Sequence, residues 1–207
     1  MLNTDVQQWL SDRLGPGKNQ GKHMRVNAKP LGQYPWYLRP FFWNQRRRYG
    51  EVLLPGLLWG RSPLLFMTVA LLYGALDRRR SPIDPVLRSL VTVRVSQINW
   101  CVFCVDINSM ILARRCDSMD KVLALETWRE SVLFDARERI ALEYAETMTD
   151  SRLRVNDDLR QRLAQHFDED AVVELTGLIS FQNLSSKFNS ALDVPAHGFC
   201  SLPEQAK

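Results

Sequence analysis

The sequence of 207 residues lacks both a long apolar run and an evident leader segment. Its longest apolar run, residues 62–76, falls short of the roughly 20 residues that a membrane-spanning helix needs. Residues 1–15 carry acidic and polar side chains where a signal peptide has a basic start and an apolar centre. We therefore expect a cytoplasmic protein that neither spans nor binds a membrane.

Cysteine and histidine are also scarce, with four and three residues respectively. Four cysteines are too few for a disulfide-rich secreted fold of this length. Only Cys101 and Cys104 are closely spaced, which is typical of a redox or metal-binding pair in a reducing compartment. The histidines, His23, His166 and His197, are more typical of local hydrogen bonding than of catalysis, although the sequence leaves open that one of them supplies a base.

Positive charge is concentrated in residues 1–50, which hold nine Lys or Arg and two Asp and carry a net charge of +7, whereas the remainder carries −3. Aromatic residues lie among the basic ones, namely Trp36, Tyr37, Phe41, Phe42 and Trp43. This combination allows nucleic-acid binding, but no RNA- or DNA-binding motif accompanies it. We expect no nucleic-acid partner and predict that residues 1–50 form a basic arm whose rings pack on the body of the protein or on another subunit.

The rest of the chain, residues 51–207, is predicted to be a helical domain. Residues 87–98 repeat apolar side chains at helical spacing, although their β-branched content also allows a strand. Helix starts are predicted at Ser62-Pro63, Asp84-Pro85, Ser118, Asp135 and Asn156, and a last long helix from about Asp170 to Leu192. Residues 1–33 read as a short helical start and a connector, and residues 34–60 as irregular structure with short helical turns. The predicted fold class is all-α.

The pair Cys101-x-x-Cys104 is the most informative motif, because two cysteines three residues apart on a helix bring their sulfurs within disulfide reach. Asn99 is a good N-cap, which predicts a helix from Asn99 to about Arg115 with Cys101 in its first turn. Free N–H groups and the helix dipole favour a thiolate at that position. A reactive dithiol is the resulting hypothesis, and two small buried apolar side chains are the alternative.

The segment RSLVTVRVSQINWCVFCVDIN, residues 88–108, resembles the signature of the alkylhydroperoxidase D-like (carboxymuconolactone decarboxylase) family. The stretches DPVLRSL, FDARERIALEYAETMT and FNSALDVP resemble the family as well, so the resemblance extends over residues 50–200. It implies an all-α helical bundle that assembles into trimers or hexamers. It also implies a peroxide or disulfide substrate and an external thiol reductant, and we expect no cofactor and no metal.

Two positions depart from the family signature. Its glutamate, twelve residues before the first cysteine, is Ser89 here, and its histidine, four residues after the second cysteine, is Asn108. In the family these two form a proton relay, so the resemblance makes Cys104 the peroxidatic and Cys101 the resolving cysteine. Neither serine nor asparagine is a general base near neutral pH. Arg94 is then the candidate for stabilising a Cys104 thiolate.

Other interpretations remain open at the level of sequence. His197 and Cys200 form a second spaced pair that allows a zinc site with Cys101 and Cys104. Trp100 replaces a family glycine and is predicted to wall the pocket, and Cys116 is predicted to end its helix.

Residues 172–183 faintly resemble residues 87–99, with Glu174 in the place of Ser89, which suggests a degenerate internal repeat. A thiol-dependent peroxidase or disulfide reductase is the favoured function. The alternatives are a non-catalytic oligomeric relative that binds a small molecule or partner, and a carboxymuconolactone decarboxylase-type enzyme. Members of the last kind generally lack the paired cysteines.

Overall fold

A computed structural model describes residues 26–200, and every regular element in that range is helical. Nine α-helices and three short 3₁₀ turns make up this part of the chain. The α-helices are α1 Arg39–Tyr49, α2 Leu54–Gly60, α3 Pro63–Leu76, α4 Pro85–Ile98, α5 Val102–Cys116, α6 Asp120–Ala124, α7 Ala136–Thr149, α8 Asp157–Ala164 and α9 Glu169–Ala191. The 3₁₀ turns are Leu31–Gln33, Trp36–Leu38 and Leu125–Thr127. The all-α prediction is confirmed.

Side-chain caps fix where several helices begin, as the sequence predicts. The Asp84 carboxylate accepts the backbone N–H of Leu87 at 2.9 Å at the start of α4. Asp135 and Glu138 form a reciprocal capping box at α7. The Asn156 side chain caps α8 by accepting the Leu159 N–H at 2.9 Å. Each cap satisfies a backbone donor that has no partner within its own helix.

Helix α1 was not predicted, because three prolines and many aromatic residues suggested irregular structure between residues 34 and 60. Pro40 lies in the first turn, where a missing N–H costs no helical hydrogen bond. Gly50 then ends the helix in the left-handed conformation at φ 83°. The aromatic residues supply the buried face instead of breaking it, since Phe42 is buried against Phe66 at a ring separation of 5.8 Å.

Helix α4 lies at the centre and packs against α5, α7 and α9. Its apolar side chains Leu87, Val91 and Val95 are fully buried in the main core with residues of α7 and α9. The strand alternative for residues 87–98 is therefore wrong, because burial on several sides rather than strand pairing accounts for their β-branched content. Within residues 26–200, no helix is both long and apolar enough to cross a membrane.

Part of the predicted N-terminal arm packs on the helical body. Tyr34, Leu38 and Phe42 are buried in one cluster with Trp59 and Phe66. The predicted helical start within residues 1–15 and His23 lie outside the described residues. The division of the chain after residue 50 stays a prediction.

Candidate redox site

Cys101 and Cys104 form a disulfide at the junction between α4 and α5. Their Cα atoms are 5.2 Å apart, within the usual range for disulfide-bonded cysteines. Both residues are buried, with 1% and 2% of their surface exposed. The predicted pairing of these two cysteines is thus present in the structure.

The junction itself differs from the sequence prediction. Asn99 does not cap α5 but ends α4, and its amide donates to Asn183 Oδ1 at 2.9 Å. Trp100 takes a left-handed conformation at φ 55°, a conformation that favours glycine. Cys101 is the N-cap residue of α5, whose first helical residue is Val102. The left-handed residue separates the two helices, so the N-cap of α5 lies two residues later than the sequence suggests.

Backbone hydrogen bonds hold this turn closed. The N–H of Cys101 donates to Ser96 O at 3.1 Å, and the N–H of Trp100 donates to Gln97 O at 3.1 Å. This pair of bonds around a left-handed residue is the Schellman arrangement that ends many helices. Cys101 therefore closes one helix and caps the next.

Each sulfur accepts one hydrogen bond. The Cys104 backbone N–H donates to Cys101 Sγ at 3.2 Å, so Cys101 receives the direct benefit of the helix N-terminus. The Asn189 amide on α9 donates to Cys104 Sγ at 3.3 Å. Asn189 is 2% exposed and was not identified as a site residue from the sequence, although it lies in the FNSALDVP stretch that resembles the family.

Arg94, the predicted support for a thiolate, bonds elsewhere. Its Nε donates to Glu146 Oε1 at 2.6 Å and its Nη1 donates to Gln97 Oε1 at 3.1 Å. Burial raises the pKa of Glu146, but the charges and hydrogen bonds of Arg94, Arg129 and Trp128 outweigh it and leave that pKa below its usual value. The Arg94 charge is thus directed at an ionised carboxylate, and the donor at Cys104 is an amide.

Apolar side chains surround the disulfide, in a group we call the cysteine cluster. Its buried members are Leu53, Leu58, Cys101, Phe103, Cys104, Ile107, Met110, Val194 and Cys200. Burial, followed by repulsion from Asp106, raises the pKa of the Cys200 thiol to about 11. Cys200 is therefore a protonated, weakly reactive thiol at neutral pH.

Asp106 on α5 holds residues 194–200 against this cluster. The carboxylate is fully buried and accepts the backbone N–H groups of His197 and Gly198, each at 2.8 Å, and of Cys200 at 2.7 Å. The His197 ring pairs with Glu51 at 2.6 Å. Residues 194–200 thus pack over α5 through contacts that the sequence did not reveal.

The two relay positions face one small cavity between α3, α4, α5 and α9. Ser89 and Asn108 both line this cavity, whose volume is about 50 Å³. The Ser89 hydroxyl accepts a hydrogen bond from Arg115 Nη1 at 2.9 Å. Asn108 Nδ2 donates to Ser96 Oγ at 3.3 Å. Neither cysteine lines this cavity, and Trp100 does not line it either, so the prediction that Trp100 walls the pocket of the thiols stays a prediction.

The remaining cysteines and histidines do not assemble a metal site in residues 26–200, where no group of three His, Cys, Asp or Glu side chains is placed to hold a metal ion. Cys116 ends α5 as predicted, and burial raises the pKa of its thiol. His166 follows α8 and donates its backbone N–H to Leu163 O.

Comparison with known proteins places this site in a family. A sequence model of the carboxymuconolactone decarboxylase family matches residues 63–147. The uncharacterized protein YnjA of Escherichia coli (strain K12) is 54% identical over 180 residues, which cover 87% of this chain and 99% of YnjA. The chain belongs to the carboxymuconolactone decarboxylase family. The matched region contains the disulfide and both departures from the relay.

Solved structures show the same fold. An uncharacterized peroxidase-related protein from Ralstonia eutropha JMP134, described as an alkylhydroperoxidase AhpD core, superimposes with a TM-score of 0.78 at 19% identity, covering 86% of this chain and 95% of that one. The debrominase Bmp8 superimposes with a TM-score of 0.75 at 22% identity, covering 86% and 94%. The carboxymuconolactone decarboxylase family member described here therefore has the AhpD-like helical fold.

The disulfide determines how many thiols of the protein can be alkylated. Native protein, denatured without reductant, should yield two alkylatable thiols, Cys116 and Cys200, because the other two are bonded to each other. Reduction before alkylation should raise the count to four. Peptide mapping of the unreduced sample should recover a linked Cys101–Cys104 peptide. Four free thiols after mild oxidation, or zinc bound at one ion per chain, would contradict the assignment.

Proposed function

We propose that this family member is a thiol-dependent oxidoreductase that reduces peroxides through Cys104 and Cys101. The observation that carries the proposal is the Cys101–Cys104 disulfide at the start of α5, with a hydrogen-bond donor at each sulfur. Donors at both sulfurs stabilise the thiolate forms that the reduced pair needs. The apolar cysteine cluster favours an organic hydroperoxide over hydrogen peroxide as the substrate.

The proposed cycle balances with a thiol reductant. The Cys104 thiolate attacks the outer oxygen of a hydroperoxide ROOH, which breaks the O–O bond and releases RO⁻, protonated to ROH. The resulting Cys104 sulfenic acid is attacked by the Cys101 thiol, which forms the disulfide and releases water. An external dithiol then reduces the disulfide and is itself oxidised to a disulfide.

Proton transfer is the weak step in this cycle. The relay positions carry Ser89 and Asn108, and neither side chain takes up a proton near neutral pH. The Cys104 thiolate must therefore form without a side-chain base at these two positions, with the help of the Asn189 amide and of its place in the first turn of α5. We infer that turnover is slow relative to family members that carry both relay residues.

A single-turnover experiment tests the proposal. Reduced full-length protein is mixed with one equivalent of cumene hydroperoxide, and its free thiols are counted with time. We expect the count to fall from four to two as Cys101 and Cys104 join. The Cys116→Ser variant is the matched control, because Cys116 ends α5 away from the disulfide, and it should fall from three to one.

The Cys104→Ser variant should show no loss of thiols to a disulfide under the same conditions. Peroxide consumption that survives this substitution would move the chemistry away from the pair. Thiol counts that stay at four in the wild type, in a folded protein, would favour a second candidate function, a non-catalytic relative. The observation in favour of that candidate is the burial of both sulfurs, which limits access by substrate.

We also propose that the protein self-associates. Helix α3 carries exposed apolar side chains, with 79% of Leu64 and 68% of Leu71 accessible, and neighbouring α1 exposes 62% of Trp43. The two helices adjoin, because the Phe41 and Phe66 rings are 4.6 Å apart. Exposed apolar surface of this extent on adjoining elements marks an interaction site.

Light scattering at micromolar concentration should therefore give a mass that is a multiple of the 24.0 kDa chain. Leu64→Gln combined with Leu71→Gln should lower that mass toward a single chain. Val173→Gln is the matched control, since Val173 is 70% exposed but lies on α9. A wild-type protein that runs as a strict monomer would refute self-association.

A further inference from the structure

We infer that Asn189 is a catalytic residue that holds the sulfenic acid of Cys104 and prevents its further oxidation. The inference rests on the proposed function, because this sulfenic acid is the intermediate of the proposed cycle. Asn189 lies in the last turn of α9 and is 2% exposed. Its amide touches the reacting atom, since Nδ2 donates to Cys104 Sγ at 3.3 Å.

The oxygen of the same amide lacks a partner. Asn189 Oδ1 is buried and accepts no hydrogen bond within residues 26–200. Most buried acceptors in proteins are satisfied, and an exception beside a reacting atom indicates a donor that exists in another state of the site. In the disulfide neither sulfur carries a hydrogen, so the bonded pair offers this oxygen no donor.

The sulfenic acid of Cys104 supplies the missing donor, because its oxygen carries a hydrogen. That oxygen is bonded to the sulfur that Asn189 Nδ2 already contacts, so it lies beside the amide. An asparagine amide has both a donor and an acceptor, which match the lone pairs and the O–H of the acid. Within the described residues the amide makes no other hydrogen bond that would oppose rotation about χ2, a torsion with a broad range in asparagine.

Two further bonds hold this turn of α9 at the junction between α4 and α5. The Val194 N–H donates to Asn189 O at 3.0 Å. The neighbouring Ser190 Oγ donates to Trp100 O at 3.4 Å, and Trp100 directly precedes Cys101. The amide is therefore in position before the reaction begins, so little ordering is needed when the sulfenic acid forms.

The two sulfurs have different partners, and the difference matches their proposed roles. Cys101 Sγ accepts the backbone N–H of Cys104 at 3.2 Å, and a backbone N–H only donates. A donor alone suits a thiolate, the form in which the resolving Cys101 attacks. The Asn189 amide offers Cys104 a donor together with a free acceptor, which suits a neutral sulfenic acid.

The protonation state of the sulfenic acid decides which reaction follows. In the neutral acid, Cys101 attacks Cys104 Sγ, the S–O bond breaks, and the OH group leaves as water with the proton of the Cys101 thiol. In the ionised form, the sulfur attacks a second ROOH, which gives the sulfinic acid and ROH. An oxygen that accepts the O–H stabilises the neutral form, as do the apolar side chains of the cysteine cluster. Asn189 thus directs oxidation toward the disulfide.

Two rate constants measured on full-length protein test the inference. The parent variant is Cys101→Ser with Cys200→Ala, because neither thiol of the cysteine cluster can then trap the sulfenic acid of Cys104. Reduced protein is mixed with excess cumene hydroperoxide and quenched with time in denaturant that contains dimedone. Mass spectrometry of the Cys104 peptide gives the rate constant for sulfenic acid formation and the rate constant for its conversion to sulfinic acid.

Adding Asn189→Leu, which keeps the size but removes both hydrogen-bonding groups, should raise the second rate constant about three- to tenfold. It should not raise the first, because the thiolate loses its donor. Asn189→Asp keeps an acceptor and should leave the second rate constant near that of the parent, but it should slow the first, since a carboxylate repels the thiolate. Thr176→Val is the matched control on α9, because the Thr176 hydroxyl bonds to Tyr144 and Val172, and it should change neither rate constant.

Each outcome supports or overturns the inference. A second rate constant that Asn189→Leu leaves unchanged overturns it, and so does an equal rise of both rate constants, which a merely opened pocket would give. If Asn189→Leu fails to fold, Asn189→Ala removes the same two groups and is judged by the same criteria. The absence of sulfenic acid in the parent variant is a failure of the proposed function, with which this inference falls. Sulfenic acid that forms in the parent but is oxidised equally fast with and without Asn189 overturns the inference alone.

Discussion

Rebuilding the proton relay with Ser89→Glu and Asn108→His is expected to raise peroxide reduction by about 10²–10⁴-fold, the usual contribution of a positioned general base. Both positions line the same cavity, and Asn108 lies one helical turn after Cys104 on α5. A histidine at position 108 is therefore close to the nucleophile along the helix. Initial rates with cumene hydroperoxide and an excess of dithiothreitol would measure the gain.

The single variants Ser89→Glu and Asn108→His distinguish the role of the glutamate from that of the histidine. Arg115 lies 2.9 Å from Ser89 Oγ, so a glutamate at 89 would be held ionised with a lowered pKa. The ionised glutamate can then orient a histidine at position 108 and stabilise its protonated form. It cannot itself take the proton from Cys104. We expect Ser89→Glu alone to gain little and Asn108→His alone to gain part of the effect.

Cys104→Ser in the double-variant background is the control and should be inactive. A folded double variant whose rate equals that of the wild type would show that the pocket has diverged beyond these two positions.

Among the substitutions proposed for this protein, removal of the Asp106 carboxylate should lower the free energy of unfolding the most. Its two oxygens accept three backbone N–H groups of residues 197–200 at 2.7–2.8 Å, and the residue is fully buried. Asp106→Ala leaves those donors without a partner, at a cost of about 3–4 kcal/mol in the free energy of unfolding. Denaturant titration followed by circular dichroism measures this cost.

The reactivity of Cys200 is a second measurement, and it tests whether Asp106 holds residues 194–200 over the disulfide. The charge of Asp106 contributes to the raised pKa of Cys200, so Asp106→Ala should both release the segment and lower that pKa. Both effects speed the reaction of Cys200 with iodoacetamide in native protein at pH 8. Glu130→Ala, which removes an exposed carboxylate, is the matched control and should change neither quantity. A loss of less than about 1 kcal/mol for Asp106→Ala would contradict the assigned role.

Local signals in the sequence were sufficient to predict the helical fold, the family and most helix starts. Asp84, Asp135 and Asn156 cap their helices through side-chain bonds to residues three positions later, so the information is contained in a few adjacent residues. The start of α5 was misplaced because Trp100 adopts a left-handed conformation, which bulky side chains rarely take. The residue type therefore gave no signal for the turn, which is held by the Trp100–Gln97 and Cys101–Ser96 backbone hydrogen bonds.

The environment of the dithiol could not be predicted in the same way. The Asn189–Cys104 hydrogen bond joins residues 85 positions apart, and the Asp106–His197 bond joins residues 91 apart. These contacts depend on how α9 and the following segment lie against α5. The resemblance to the family did bring Ser89 and Asn108 to attention, but it gave no indication that Arg115 donates to the Ser89 hydroxyl or that Asn108 donates to Ser96.

The double use of Cys101, as the residue that closes α4 and caps α5, affects how oxidation is transmitted. Its backbone N–H is bonded to Ser96 O and its carbonyl oxygen accepts from Val105 N at 2.9 Å. Neither of these two bonds involves sulfur, so we expect both to persist when the pair is reduced. The cap itself does involve sulfur, because the Cys104 N–H donates to Cys101 Sγ. A change of redox state should therefore act on the first turn of α5 and leave the end of α4 as it is.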